Sequence, residues 1–371
     1  LACVFFALGA GRTIGHQEFD ATHTSRADVS IPGLRRRILS FRMIKFPLIY
    51  REGFYLPFGK AHVFPGVKYK LVRERLLTTG VAQEGDFVAA KAIELDDVLQ
   101  VHESGFVDRL VNGTLSPQEI RRMELPYSKA LVDATLLGCG GTLLAARQSL
   151  EHGIAVSIGG GFHHAHPDHG EGFCMLHDVA ITLRRLLRDG PIRTALVIDL
   201  DVHHGNGTAA IFPPAKSGTD TVFNEDVGCG TMVGPGMPSC DGVFTLSLHQ
   251  KNIYPAHKPQ SSLDVHLNDG VEDKEYLAAL KRAITLALER IDPDMIAYIA
   301  GSDPYCDDKL GGLSLTVEGM RRRDLYVFRA AKDSGVPVFS VFAGGYARKL
   351  EDTVTLHTNT VLAAAEVFGS S

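Results

Sequence analysis

Five short apolar runs constrain this chain more than any other feature: 154-IAVSIGG-160, 194-TALVIDLD-201, 243-VFTLSLH-249, 295-MIAYIAGSD-303 and 336-VPVFSVFAGG-345. Most are separated by segments of helical periodicity, such as 176-LHDVAITLRRLLRDG-190, 274-KEYLAALKRAITLALERI-291 and 317-VEGMRRRDLYVFRAAKDSG-335. Continuous apolar strands alternating with amphipathic helices predict an α/β fold, a parallel sheet covered on both faces. Every run finishes in Gly, His, Asp or Ser, and ligands of open parallel sheets bind beyond the carboxyl ends of the strands. Residues 159–173, 199–207, 247–254, 301–312 and 343–346 are therefore expected to converge on one edge.

The chemistry at those strand ends is dense. The stretch 199-DLDVHHGNG-207 holds two aspartates and two histidines, and 159-GGGFHHAHPDHGEGF-173 places another histidine pair after three glycines. Asp201 and His203 are two apart, so on an extended strand tip both point the same way. A carboxylate and an imidazole there suit a borderline metal such as zinc, and Asp303 is the natural third ligand. That set is rich in oxygen, so ferrous iron or another divalent ion also fits. His163 and His164 offer acid–base capacity, Asp199 and Asn206 could orient their rings, and Tyr346 offers a phenol to a developing oxyanion. Each feature alone has an ordinary reading: a satisfied histidine pair, aspartates capping helices, a flexible glycine turn. Their coincidence at successive strand ends favours one site.

Composition narrows the partners. The net charge of −5 leaves no footprint for nucleic acid, and the clusters 34-LRRRI-38 and 320-MRRRDL-325 read as a surface segment and a solvated helix face. The six cysteines form no CxxC pair, which points to a reducing compartment, cytoplasmic or nuclear. The run 2-ACVFFALGA-10 resembles the core of a secretory signal but lacks a basic start and is too short to span a bilayer, so no membrane association is expected. Residues 1–44 are expected to be a poorly ordered lead-in and 45–371 the catalytic domain. Residues 53–69, rich in aromatics, Gly and Pro, suggest an ordered loop, and 97–113 a strand edge leading into a helix. The stretch 213–242 looks like a loop insertion: a substrate-gating loop, a disordered loop or non-coding sequence retained in the chain, with the last two favoured over the first.

The segments 159-GGGFHHA-165, 172-GFC-174, 197-VIDLDVHHGNGT-208, 301-GSDPYCDDKLGGL-313 and 343-AGGYA-347 resemble, in order, the zinc-dependent histone deacetylase family. The likeness covers roughly residues 46–367 and looks closest to the class IV-like branch and its bacterial members. It implies a single three-layer domain of the arginase/deacetylase type, with a parallel sheet of about eight strands between helices. It implies zinc held by Asp201, His203 and Asp303. His163, mainly electrostatic, would pair with Asp199, and His164, the general base and acid, with Asn206, where some relatives carry a carboxylate. Tyr346 would polarise the substrate carbonyl. Gly161, Phe162, Gly172, Phe173, Tyr254 and Gly344 would line a narrow acyl-lysine tunnel. Asp308 and Gly312 fit the pattern beside the third ligand. A structural potassium ion would take carbonyls around Asp199, Asp201 and His203 with the Ser247 hydroxyl. His204 is left as structural, and 304-PYC-306 is an unexpected triplet at the tunnel rim.

The implied activity is hydrolysis of the amide bond of acylated lysine in protein or peptide. An acetylpolyamine deacetylase would use the same residues, and a catalytically weak scaffold binding acylated partners is disfavoured by the intact set.

Overall fold

The apolar runs do become the centre of one sheet. The computed structural model describes residues 44–54, 62–215 and 223–369. The expected lead-in lies outside these residues apart from its last position, as does 55–61 of the aromatic loop. The chain opens with β1 (Leu48–Ile49), α1 (Lys68–Thr78) and β2 (Phe87–Val88). Helices α2 (Leu95–Val98), α3 (Ser104–Asn112), α4 (Pro117–Met123) and α5 (Lys129–His152) follow, then β3 (Ile154–Ser157), α6 (Asp178–Asp189), β4 (Ala195–Asp199) and α7 (Asn206–Ile211). The rest is β5 (Phe223–Asp226), β6 (Gly230–Gly234), β7 (Val243–Gln250), β8 (Leu263–Leu267), α8 (Asp273–Arg290), β9 (Met295–Ala300), α9 (Val317–Asp333), β10 (Val338–Phe342) and α10 (Leu350–Phe368).

The described strands form a 10-stranded sheet in the order β2-β1-β3-β10-β9-β4-β7-β8-β6-β5. It exceeds the expected eight because β1 and β2 are only two residues long and because β5 and β6 extend the far edge. All pairings are parallel except those of β6 with β5 and β8. Every residue of β3, β4, β7, β9 and β10 is buried. Helices α5 and α6 pack together, while α8, α9, α10 and α1 pack in a chain of neighbours.

Three expectations are corrected. The 213–242 stretch is not loop throughout: Phe223–Asp226 and Gly230–Gly234 pair in antiparallel register through a turn in which Gly228 takes φ +79°. At 97–113 there is no strand edge; Asp97 and Val98 end the short helix α2, where Asp97 is buried against Arg185 and Arg188. The basic run 320–325 is not all solvated. Arg323 is 1% exposed, because its position in α9 puts it on the same inward stripe as Met320 and Val327.

Helix α5 is one 24-residue helix, opened by Ser128, whose hydroxyl accepts from Leu131 N at 3.1 Å, and closed by Gly153 at φ +78°. It is the one described helix long and apolar enough to cross a membrane, and its buried face is the reason for that composition. Gly140 is required by close approach, since a Cβ there would stand 1.8 Å from the Lys91 carbonyl.

Candidate active site

The register of the sheet sets the site. Asp199 ends β4 opposite Ile299 of β9 and Ser247 of β7, so Asp201 and Asp303 emerge from adjacent strand ends. The turn after β4 folds back on itself: Asp199 Oδ1 accepts from Asp201 N at 3.2 Å, and Asp201 Oδ1 from His203 N at 3.0 Å. The Val202 amide donates to Asp303 Oδ1 at 2.9 Å, and Gly344 N to Asp201 Oδ2 at 2.7 Å. The two histidine motifs meet directly. Thr208 N donates to the His163 carbonyl at 3.2 Å, and a Cβ on Gly207 would stand 2.3 Å from the Ala165 carbonyl.

Asp201, His203 and Asp303 bring their ligand atoms within 4.8 Å of one another, all three residues buried. His203 Nδ1 lies 3.0 Å from Asp201 Oδ1 and 3.3 Å from Asp303 Oδ2. The second contact is an ion-pair distance without hydrogen-bond geometry, so Asp303 Oδ2 is buried with no hydrogen-bond partner. Burial and the Asp201 carboxylate push Asp303 up to about 7. Two buried carboxylates, one with an unused oxygen, beside one imidazole nitrogen are the donor set a tetrahedral divalent ion takes.

His163 Nδ1 bonds Asp199 Oδ2 at 2.7 Å, and His164 Nδ1 bonds Asn206 Oδ1 at 2.6 Å. The rings lie 4.1 Å apart but titrate in opposite directions. Burial works against a charge on His163, yet Asp199 and Asp201 hold it up at about 9. Burial, with His163 and His203 nearby, holds His164 well below the usual imidazole range. Environments that push two like groups apart divide an acid from a base. Burial also raises the Tyr346 phenol far above its ordinary value, keeping it a hydrogen-bond donor.

Of the expected tunnel, Gly161, Phe162, Gly172, Phe173 and Gly344 line the inner cavity with Tyr346, and Tyr254 stands at its outer mouth. The Tyr254 ring meets that of His164 edge-on at 5.1 Å. Gly172 has φ +51°, and a Cβ there would come within 2.8 Å of both His164 Cδ2 and the Tyr254 hydroxyl. Asp308 accepts from the amides of Tyr346 (2.6 Å), Leu310 (2.8 Å) and Gly311 (3.2 Å), which fixes the tyrosine loop. Gly312 N donates to Gln250 Oε1 at 2.8 Å. Ser247 stands in register beside Asp199, and its hydroxyl bonds His249 Nδ1 at 2.9 Å. His204 is fully buried against Asp264 at 3.1 Å, away from the cavity lining. The 304–306 triplet does not reach the rim: Cys306 N bonds the Leu315 carbonyl at 2.9 Å, and neither Tyr305 nor Cys306 lines the cavity.

Sequence reasoning missed four contributors. Asp178, in the first turn of α6, accepts from Gly161 N at 2.9 Å and Phe162 N at 2.8 Å, shaping the glycine loop. Phe64 packs edge-on to Phe173 and Tyr346. Lys68 is fully buried, donates to the Ala343 carbonyl at 2.6 Å, and is pushed down to about 8 by burial against the pull of Asp303 and Asp201. Glu171, in a loop of scattered polar residues, accepts from Asn206 Nδ2 at 2.7 Å.

Comparison with known proteins assigns the family and the fold. The description of the histone deacetylase domain matches residues 62–361. The chain belongs to the histone deacetylase family. It is 35% identical over 323 residues to an uncharacterized protein of Picosynechococcus sp. PCC 7002, covering 87% of this chain and 99% of that one. It is 28% identical to histone deacetylase 2 of Arabidopsis thaliana, covering 86% and 82%. Among solved structures, a histone deacetylase homolog complexed with SAHA superposes with TM-score 0.68 at 22% identity, covering 88% of this chain and 85% of that one. The HD domain of HDA15 gives 0.66 at 22%, covering 85% and 87%. As a histone deacetylase family member the chain is a hydrolase acting on amide bonds, and its α/β sheet is the fold of those structures.

Proposed function

We propose that this chain hydrolyses the side-chain amide of N-acyl-lysine in proteins or peptides with one zinc ion, held by Asp201, His203 and Asp303. The observation that carries the reading is the buried Asp303 Oδ2 without a hydrogen-bond partner, 3.3 Å from His203 Nδ1, behind a cavity that Asp201, His203, Tyr346, His163 and His164 line. Zinc bound there supplies Lewis acidity toward the acyl carbonyl and toward water. Tyr346, kept protonated, donates to the carbonyl oxygen as charge develops on it. His164, held neutral with its Nδ1 on Asn206, takes the proton from the attacking water through Nε2. His163, held charged by Asp199, offsets the negative charge that accumulates. The leaving amine takes its proton from the histidine pair. Phe173 and Tyr254 flank the aliphatic stem, which gains by apolar burial.

The potassium site around Asp199 and Ser247, the class IV-like affiliation and a reducing intracellular compartment belong to the same reading. In support of the last, the five cysteines among the described residues are all free. A second reading, a small cationic substrate such as an acetylpolyamine, is favoured by the exposed Glu124 at the cavity mouth. Zinc-reconstituted protein assayed on acyl-lysine peptides from acetyl to long chains, beside acetylpolyamines, decides between them. His164→Ala should abolish turnover of either. Zinc-loaded wild type that turns over no acyl-lysine peptide would sink the leading reading.

A further inference from the structure

Glu171 stands directly behind Asn206, in a role the family resemblance does not assign. The Asn206 amide is fully used: Oδ1 lies 2.6 Å from His164 Nδ1, while Nδ2 donates to Glu171 Oε1 at 2.7 Å and faces His166 Nε2 at 3.1 Å. Turned over, the amide would set its oxygen against the Glu171 carboxylate, acceptor to acceptor, and its NH2 against His164 Nδ1. His164 would then have to carry its proton on Nε2, the atom that needs a lone pair. An asparagine can present either end to a histidine, whereas an ionised carboxylate only accepts. The group that decides which way the amide faces is therefore the one behind it.

Glu171 is suited to that task. Its side chain is 19% exposed, and His169 Nε2 lies 3.3 Å from Oε2. His166 adds a second acceptor, since burial and His169 hold its ring below the usual range and so neutral.

We infer that Glu171 is a positioning residue acting through Asn206, fixing the amide so that His164 keeps its proton on Nδ1. The chain His164–Asn206–Glu171 does through an amide what Asp199 does for His163 by direct contact. The inference rests on the reading of His164 as the base. In Glu171→Gln two amides face each other and can turn together, so the orientation is no longer specified. In Asn206→Asp either oxygen at position 206 accepts from His164, and Glu171 becomes a like charge in contact.

The test is a double-mutant cycle on the zinc-loaded protein with an acetyl-lysine peptide. Glu171→Gln should lower kcat about tenfold with little change in KM. In the Asn206→Asp background the same substitution should leave kcat unchanged or raise it. An equal loss in both backgrounds, or no loss in the wild type, overturns the inference. A second readout does not need turnover. With 15N-labelled histidine, the His164 ring, assigned by its disappearance in His164→Ala, should give one Nδ1–H tautomer in the wild type and a mixture in Glu171→Gln. An unchanged tautomer overturns the inference whatever the activity, while a tautomer change in a protein that hydrolyses nothing sustains it and sinks the functional reading instead.

Discussion

The guanidinium of Arg323 donates to the Gly301 carbonyl at 2.6 Å and to the Leu200 carbonyl at 3.2 Å, so one side chain of α9 ties together the two strand ends that lead to Asp201 and Asp303. Its charge is met by Asp324 at 2.8 Å, which also accepts from Tyr298 at 2.5 Å and Thr360 at 2.7 Å. Arg323→Met keeps the length but leaves Asp324 as an uncompensated buried charge, which costs about 3–5 kcal/mol. The expected result is a large fall in the urea midpoint. Arg323→Lys should recover only part of it, because one ammonium cannot serve both carbonyls and Asp324.

Tyr346→Phe should lower kcat by about 10²–10³ and leave zinc content unchanged, since in the proposed mechanism the phenol stabilises charge and is not among the ligands. Single-turnover deacylation with parallel metal analysis checks both parts. Equal loss of zinc and activity would assign Tyr346 to the metal instead.

Gly172→Ala combines a left-handed backbone (φ +51°) with contacts of 2.8 Å to His164 and Tyr254. The backbone alone costs about 1–2 kcal/mol. The larger effect falls on the cavity, where a methyl displaces one of two walls, so KM for an acetyl-lysine peptide should rise at least tenfold, on the order of a 1.4 kcal/mol penalty.

Zinc should stabilise the fold by mass action, about 2.7 kcal/mol at 100 times its dissociation constant. Thermal melts with zinc and with chelator read this as a shift in Tm, and Asp201→Asn should abolish the shift. A Tm indifferent to zinc would show that the three ligands do not hold it.

His102 sets a pH dependence remote from the metal ligands. Its Nδ1 donates to the His166 carbonyl at 2.9 Å and its Nε2 accepts from His177 N at 2.9 Å, so the folded protein needs the neutral ring. Burial accordingly lowers it from 6.5 to about 4. Between these values the unfolded chain binds the extra proton, so the stabilisation is complete above about 6.5 and is lost as pH falls toward 4, by up to about 1.4 kcal/mol per unit. His102→Gln should be less stable at pH 7 yet show a shallower decline on acidification. Part of the slope persists, because burial lowers His177 and His357 in the same direction.

The site was legible because its residues sit at the ends of buried apolar strands, where position and chemistry coincide. What escaped the sequence was contact made from the side. Arg323 lay in a dense basic run whose charge masked its inward helical phase. Glu171 and Lys68 act on groups 35 and 275 positions away, with no local signature. The strand 263-LDVHL-267 carries Asp264 and His266 on a partly polar pattern, and the buried Asp264 is met by His204 and by the Ser261 amide. The two-residue strand β2 is too short for any period to show, whereas β1 lies within the apolar run 46-FPLIY-50, which does read as a strand.

The amide of Val202 reaches Asp303 across 101 positions, and that of Gly344 reaches Asp201 across 143. The carboxylates thus lie close together only after β4 and β9 are side by side, and β10 then adds the Gly344 contact. No early hairpin or lone helix–strand unit holds all three proposed ligands, and closing such long loops comes late and slowly in folding. Metal capture at the proposed site would therefore report assembly of the sheet's centre: zinc added at the start of refolding should bind no sooner than β4 and β9 pair.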